Sequence, residues 1–201
     1  MMPLRGVGWA QAVALQQRSG SETNPWTEIG EDYARLIDVR FPLPGRVVDK
    51  SLGQSLTVGL MLHALPEARI AWLKRSPDDV ALSCFRTFFS TGLPWTTSLS
   101  DIAVYMRAED RLLAHWRTVF PDRILVVPYE ELAASPGPWA QRLQEHFGLQ
   151  AEQDIERRAP SGRAIATASV SQVREPISTA RIGQAAKFER HLKPFRESYY
   201  N

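Results

Sequence analysis

Short apolar runs alternate along this chain with helix-length amphipathic stretches. Glu31 to Arg40 carries Tyr33, Leu36, Ile37 and Val39 near helical spacing, and Pro42 and Pro44-Gly45 end it. Arg46 to Lys50 (RVVDK) reads as a short strand finishing on a charged pair. Ser51 to His63 predicts a helix on Leu52, Leu56, Leu60 and His63, closed by Pro66. Ile70-Ala71-Trp72-Leu73 is a second strand. Behind it, Ser76 suits an N-cap, Pro77 the first helical position, and Asp78 and Asp79 the first turn. Strand, helix, strand, helix predicts an α/β protein with a parallel sheet and crossover helices.

The alternation continues. Leu93 to Ser98 is a loop, and Ser100 is the predicted cap of a long helix with Ile102, Tyr105, Met106, Leu113, Trp116 and Phe120 close to one face. Pro121-Asp122 breaks it. Arg123 to Glu130 follows as an unbroken apolar run of the kind buried in parallel sheets, with the ladder expected to stop at Pro128. Pro136 to Phe147 is a helix closed by Gly148. Residues 1–30 are mixed, with a short helix expected over Trp9 to Gln17 and a loop over Ser19 to Pro25. From Ala151 the character changes to basic and hydroxyl-rich, until Gln184 to Phe195 again reads as a helix. The 201 residues are expected to form a single domain: an atypical N-terminal segment (1–45), an α/β core (46–150) and a C-terminal flap and helix (151–201).

Composition narrows the function classes. Hydrophobic content of 44% and charged content of 23% fit a globular domain with an ordinary core. The balance of 24 − 22 = +2 is too weak to imply nucleic acid without a clustered patch. Lys50, Lys74, Lys187 and Lys193 are the lysines, so arginine carries most of the positive charge. Cys84 is the sole cysteine, which excludes an intrachain disulfide and a cysteine zinc cluster, and its place in a helix reads as a structural thiol. No metal is expected. No run approaches the ~18 apolar residues of a membrane span, and the N-terminus makes a poor signal peptide. The expectation is a cytoplasmic protein with no membrane partner. Gly6-Val7-Gly8 lacks a preceding strand and a third glycine, and no GxxxxGK[ST] occurs.

Candidate chemistry gathers at the predicted strand ends, where parallel sheets bind ligands. Lys50 and Arg75 both fall there. Arg75 also precedes a helix N-terminus, so a cation meets unpaired N–H groups, an arrangement suited to a phosphate. Ser83 lies eight residues later, about two turns into the helix. His63, on the apolar side of its helix, reads as a satisfied core or capping histidine. Arg163, Arg174 and Arg181 sit in a flap able to wrap a phosphorylated ligand or to remain a solvated surface.

Together these segments resemble the sulfotransferases, in particular bacterial repeat-associated and tyrosylprotein sulfotransferases. Val48-Asp49-Lys50 with Leu65-Pro66-Glu67-Ala68-Arg69-Ile70 is similar to the family's "DK … PNA" run. Arg75-Ser76-Pro77-Asp78-Asp79 through Ser83 resembles the arginine and serine that hold the donor's 3′-phosphate. Val127-Pro128-Tyr129-Glu130-Glu131-Leu132 resembles the signature whose tyrosine lies near adenine, and Ala168 through Arg174 to Gly183 the donor-binding flap. The resemblance covers roughly residues 46–195. It implies a P-loop-nucleotide-hydrolase-like three-layer fold with a short parallel sheet flanked by helices, N-terminally truncated or degenerate. The implied co-substrate is 3′-phosphoadenosine 5′-phosphosulfate, its sulfuryl group passing to an acceptor hydroxyl. Lys50 and Ser171 would be catalytic, and Arg75, Ser83, Tyr129, Gln172, Val173 and Arg174 would bind the donor. The implied partners are this nucleotide donor and a hydroxyl acceptor of unassigned identity; a homodimer is allowed.

Departures accompany the resemblance. The P-x-S/T-G-T-T/S loop that cradles the 5′-phosphosulfate is missing, and no general base can be matched. Leu52 and Gln54 replace a proline and an asparagine, Ser178 a tyrosine, and Ala185-Ala186 an aromatic and basic pair. A second reading follows from them: a non-catalytic nucleotide-binding or assembly module keeping only the 3′-phosphate half-site. A segment like the missing loop upstream of Met1 would make the chain part of an enzyme.

Overall fold

The computed structural model describes residues 14, 17, 25–42, 45–50, 53–87, 89, 92–150 and 178–201. They fall into two compact units, Met1–Arg69 and Ile70–Asn201.

The first unit holds α1 (Pro25–Arg40), a 3-10 turn (Gln54–Thr57) and α2 (Val58–Ala64). α1 starts six residues before the predicted Glu31. Ile29 and Ala64 are buried between the helices, with Tyr33, Leu60, Met61 and Leu65 around them. Gly30 permits this approach, because a Cβ there would collide with the Ala64 carbonyl. Leu52 lies outside the described residues, and the rest of the predicted Leu52–Leu56–Leu60–His63 seam does not form. Gly53, at φ +77°, turns the chain into a 3-10 segment that breaks the period. The buried face of α2 is Val58, Gly59, Leu62 and Ala64, while Leu56 and His63 are exposed. His63 is thus satisfied, Nδ1 lying 2.6 Å from the Gly59 carbonyl, but outside the core. The predicted strand at Arg46–Lys50 is also absent: these residues carry no regular secondary structure. Val47 and Val48 stay 45% and 89% exposed, so no buried face fixes a pairing register.

The second unit carries the sheet. β1 (Ile70–Lys74) pairs in parallel with β2 (Ile124–Pro128), in register from Ile70↔Ile124 to Lys74↔Pro128. Between them run α3 (Pro77–Arg86), a 3-10 turn (Pro94–Thr97) and α4 (Leu99–Val119). After β2 come α5 (Tyr129–Ala134), α6 (Pro136–Phe147), a 3-10 turn (Gln184–Phe188) and α7 (Lys193–Tyr200). The predicted α/β class holds, with helices around a short parallel sheet of two strands among the described residues. The ladder stops at Pro128, which has no N–H to continue it. α4 begins two residues earlier than predicted, because Ser98 rather than Ser100 is extended and accepts the Asp101 N–H at 3.3 Å. The helix predicted over Gln184–Phe195 splits in two, with Pro194 starting α7 anew. Gly148 closes α6 at φ +59°.

The core of this unit is Ala81, Leu82, Ile102, Ala103, Ala185, Leu192 and Phe195, which fastens α7 onto α3 and α4. Polar ties reinforce it. Arg196 donates from Nε and Nη2 to Asp78 at 3.0 and 2.6 Å, and from Nη1 to Glu189 at 2.8 Å. Asp110 of α4 pairs with Lys74 and accepts from Tyr199. No helix among the described residues is long and apolar enough to cross a membrane.

Candidate functional site

Register builds the site. Lys74 and Pro128 are the last partners, so Arg75 and Tyr129 leave the sheet side by side. The Arg75 guanidinium carbon lies 5.0 Å from the Tyr129 ring centroid, a cation–π distance. Ser76 is the N-cap of α3 and Pro77 follows it as predicted, yet the Ser76 side chain makes no capping bond. Instead its N–H donates to Oε1 of Glu130 at 2.8 Å. A carboxylate from the first turn of α5, just past β2, thereby ties down the start of the helix that follows β1.

The third contributor is the segment before α7. Arg75 Nη2 donates to the Arg181 carbonyl. Asp79, 2% exposed in the first turn of α3, accepts the Gly183 N–H on Oδ2 at 2.7 Å and the Ala185 N–H on Oδ1 at 2.8 Å. Its Oδ2 also stands 3.4 Å from Arg75 Nη2. Gly183 holds φ +72°, a conformation glycine adopts freely, and this aims its N–H at Asp79. Arg75 Nε is buried with no acceptor among the described residues. A buried charged donor without a partner is costly unless something else binds it.

Of the predicted site residues, Arg75 and Tyr129 are brought together. Ser83 lies in the second turn of α3 and is exposed. Lys50 belongs to the first unit, exposed in an irregular segment instead of at the strand end expected for it. Ser171, Gln172, Val173 and Arg174 lie outside the described residues, as does Arg163. Arg181 reaches Arg75 through its carbonyl, not its charge. Asp79, Glu130 and Gly183 have site contacts that the sequence did not reveal. Asp79 reads in sequence as a helix-dipole acid, and nothing local announces a partner 104 residues away.

Two neighbouring side chains titrate abnormally. Burial pushes the Cys84 thiol up, in keeping with a structural residue. Tyr105, stacked on Trp95 at 4.0 Å between centroids, is pushed up to about 12, by burial first and then by Glu109.

The family model described as "Sulfotransferase family" matches residues 13–153. The chain belongs to the sulfotransferase family. Lys50, Arg75, Ser83, Tyr129 and Glu130 all lie within the matched span. An uncharacterized protein of Aquifex aeolicus (strain VF5) is 28% identical over 169 residues, covering 83% of this chain and 22% of that protein. Cytosolic sulfotransferase 17 of Arabidopsis thaliana is 27% identical over 172 residues, covering 73% of this chain and 49% of the plant protein. This sulfotransferase-family chain thus spans about half the length of one of these relatives and about a fifth of the other. No solved structure gives a significant match.

Proposed function

We propose that this chain binds 3′-phosphoadenosine 5′-phosphosulfate at the ends of β1 and β2 and moves its sulfuryl group to an acceptor hydroxyl. The observation that carries the reading is Arg75: a guanidinium just past a parallel strand, its Nε buried without an acceptor among the described residues, its carbon 5.0 Å from the Tyr129 ring centroid. That pairing of a fork-shaped donor with an aromatic plane fits a phosphate joined to a planar base. Family membership adds the reaction class.

In this reading Arg75 and Ser83 hold the 3′-phosphate and Tyr129 packs beside the adenine. Gln172, Val173 and Arg174 complete the donor site. The donor, when bound, supplies the sulfuryl group. The chain's own task is positioning and charge stabilisation, assigned to Lys50 and Ser171. The exposed setting of Lys50 favours a second reading, a module that holds the nucleotide without transferring from it.

Equilibrium binding of 3′-phosphoadenosine 5′-phosphate tests the first step. Arg75→Ala should weaken it by roughly 10- to 100-fold, the range for a charge-assisted bond to phosphate. Equal affinities of the two proteins would overturn the site. Transfer from labelled donor to simple phenols and alcohols tests the second step, with Lys50→Ala expected to lower kcat. Binding without transfer would support the module.

A further inference from the structure

We infer that Asp79 is a positioning residue for anion recognition, holding the Arg75 guanidinium and the Arg181–Ala185 segment as one rigid unit. The inference rests on the donor site proposed above and goes beyond it, because Asp79 itself would not touch the ligand.

Three observations place Asp79 in this role. Its side chain is buried, and both oxygens are occupied: Oδ2 by the Gly183 N–H and Oδ1 by the Ala185 N–H. The same Oδ2 faces Arg75 Nη2 at 3.4 Å, while Arg75 Nη2 also donates to the Arg181 carbonyl. Arg75 is therefore held on one edge by a carboxylate and a carbonyl, and on one face by Tyr129, which leaves Nε as its buried donor without a partner among the described residues. An acid in the first turn of a helix ordinarily serves its own helix end. Here Glu130 accepts the Ser76 N–H, and Asp79 faces the later segment.

Charge alone argues the opposite outcome. A carboxylate beside Arg75 lowers the local positive potential, so removing it should tighten the binding of a dianion. Positioning predicts that removing it weakens binding, since an asparagine would set an N–H donor against one of two backbone N–H donors and release one end of the segment. The two accounts differ in sign.

The test compares 3′-phosphoadenosine 5′-phosphate with adenosine 5′-phosphate on the full chain. Asp79→Asn should lower the affinity ratio between them roughly tenfold, the loss of about one well-placed hydrogen bond, with the affinity for adenosine 5′-phosphate unchanged. A merely structural role would weaken both ligands alike, and a purely electrostatic one would raise the ratio; either overturns the inference, as does an unchanged ratio. Should Asp79→Asn not fold, Gly183→Ala serves instead. An added Cβ there meets nothing within 4 Å among the described residues, so the strain falls on the backbone at φ +72° and loosens the segment. A lowered ratio supports the inference and an unchanged one overturns it. Arg75→Ala separates the two levels. If it leaves the ratio intact, the donor site itself is wrong; if it abolishes the ratio while Asp79→Asn does not, only the role of Asp79 falls.

Discussion

At Tyr105 the phenol is neutral in the folded chain to about pH 12, because burial and the Glu109 carboxylate both oppose its ionisation. Tyr199 is raised as well, by burial and by its bond to Asp110. A group whose folded pKa is raised contributes stability fully below its unfolded value and loses it as pH climbs through the folded one. Thermal melts should therefore be insensitive to these tyrosines below pH 10 and fall progressively from pH 10 to 12. Tyr105→Phe should flatten that fall; an unaltered slope would remove Tyr105 from the account. Cys84 should label slowly with thiol reagents at neutral pH, its thiolate being disfavoured by burial. At this scale the sequence was legible where the chemistry is local. Arg75, Pro77 and Tyr129 announce themselves by type and neighbours. Asp79 does not, since its partners are set by tertiary contact.

Among the elements, Glu130 joins the first turn of α5 to the start of α3. Glu130→Ala leaves the Ser76 N–H without its acceptor and should cost roughly 1–3 kcal/mol in urea unfolding, with Glu130→Gln milder. Gly30 sets how closely α1 and α2 approach. Gly30→Ala should destabilise that helix pair by about 1–3 kcal/mol, read as a fall in melting temperature, because backbone must move to make room. Elements with strong punctuation were readable in advance: β1 ahead of Ser76-Pro77, β2 up to Pro128, α6 between Pro136 and Gly148. Those with conflicting signals were not. Val47-Val48 has strand propensity but no apolar face to rest on, and the pattern over Ser51–His63 passes through a left-handed Gly53 that resets the helical period.

For the molecule as a whole, the site is assembled from distant sequence. β1 and β2 pair across 124 − 70 = 54 residues, and Asp79 meets Gly183 across 104. Bringing such ends together carries a loop-closure entropy that local helices do not face. The order of folding follows. α3 and α4 are expected to form early, the strands to pair next, and the Asp79–Gly183 tie to close late, after the transition state. A late contact acts on the unfolding limb: Asp79→Asn should speed unfolding several-fold and leave the refolding rate nearly unchanged in stopped-flow chevrons. Slowed refolding instead would place the tie in the nucleus. The Asp79 contacts would then act as a kinetic latch as well as a positioning device. A nucleotide gripped by Arg75 would lengthen the lifetime of the native chain.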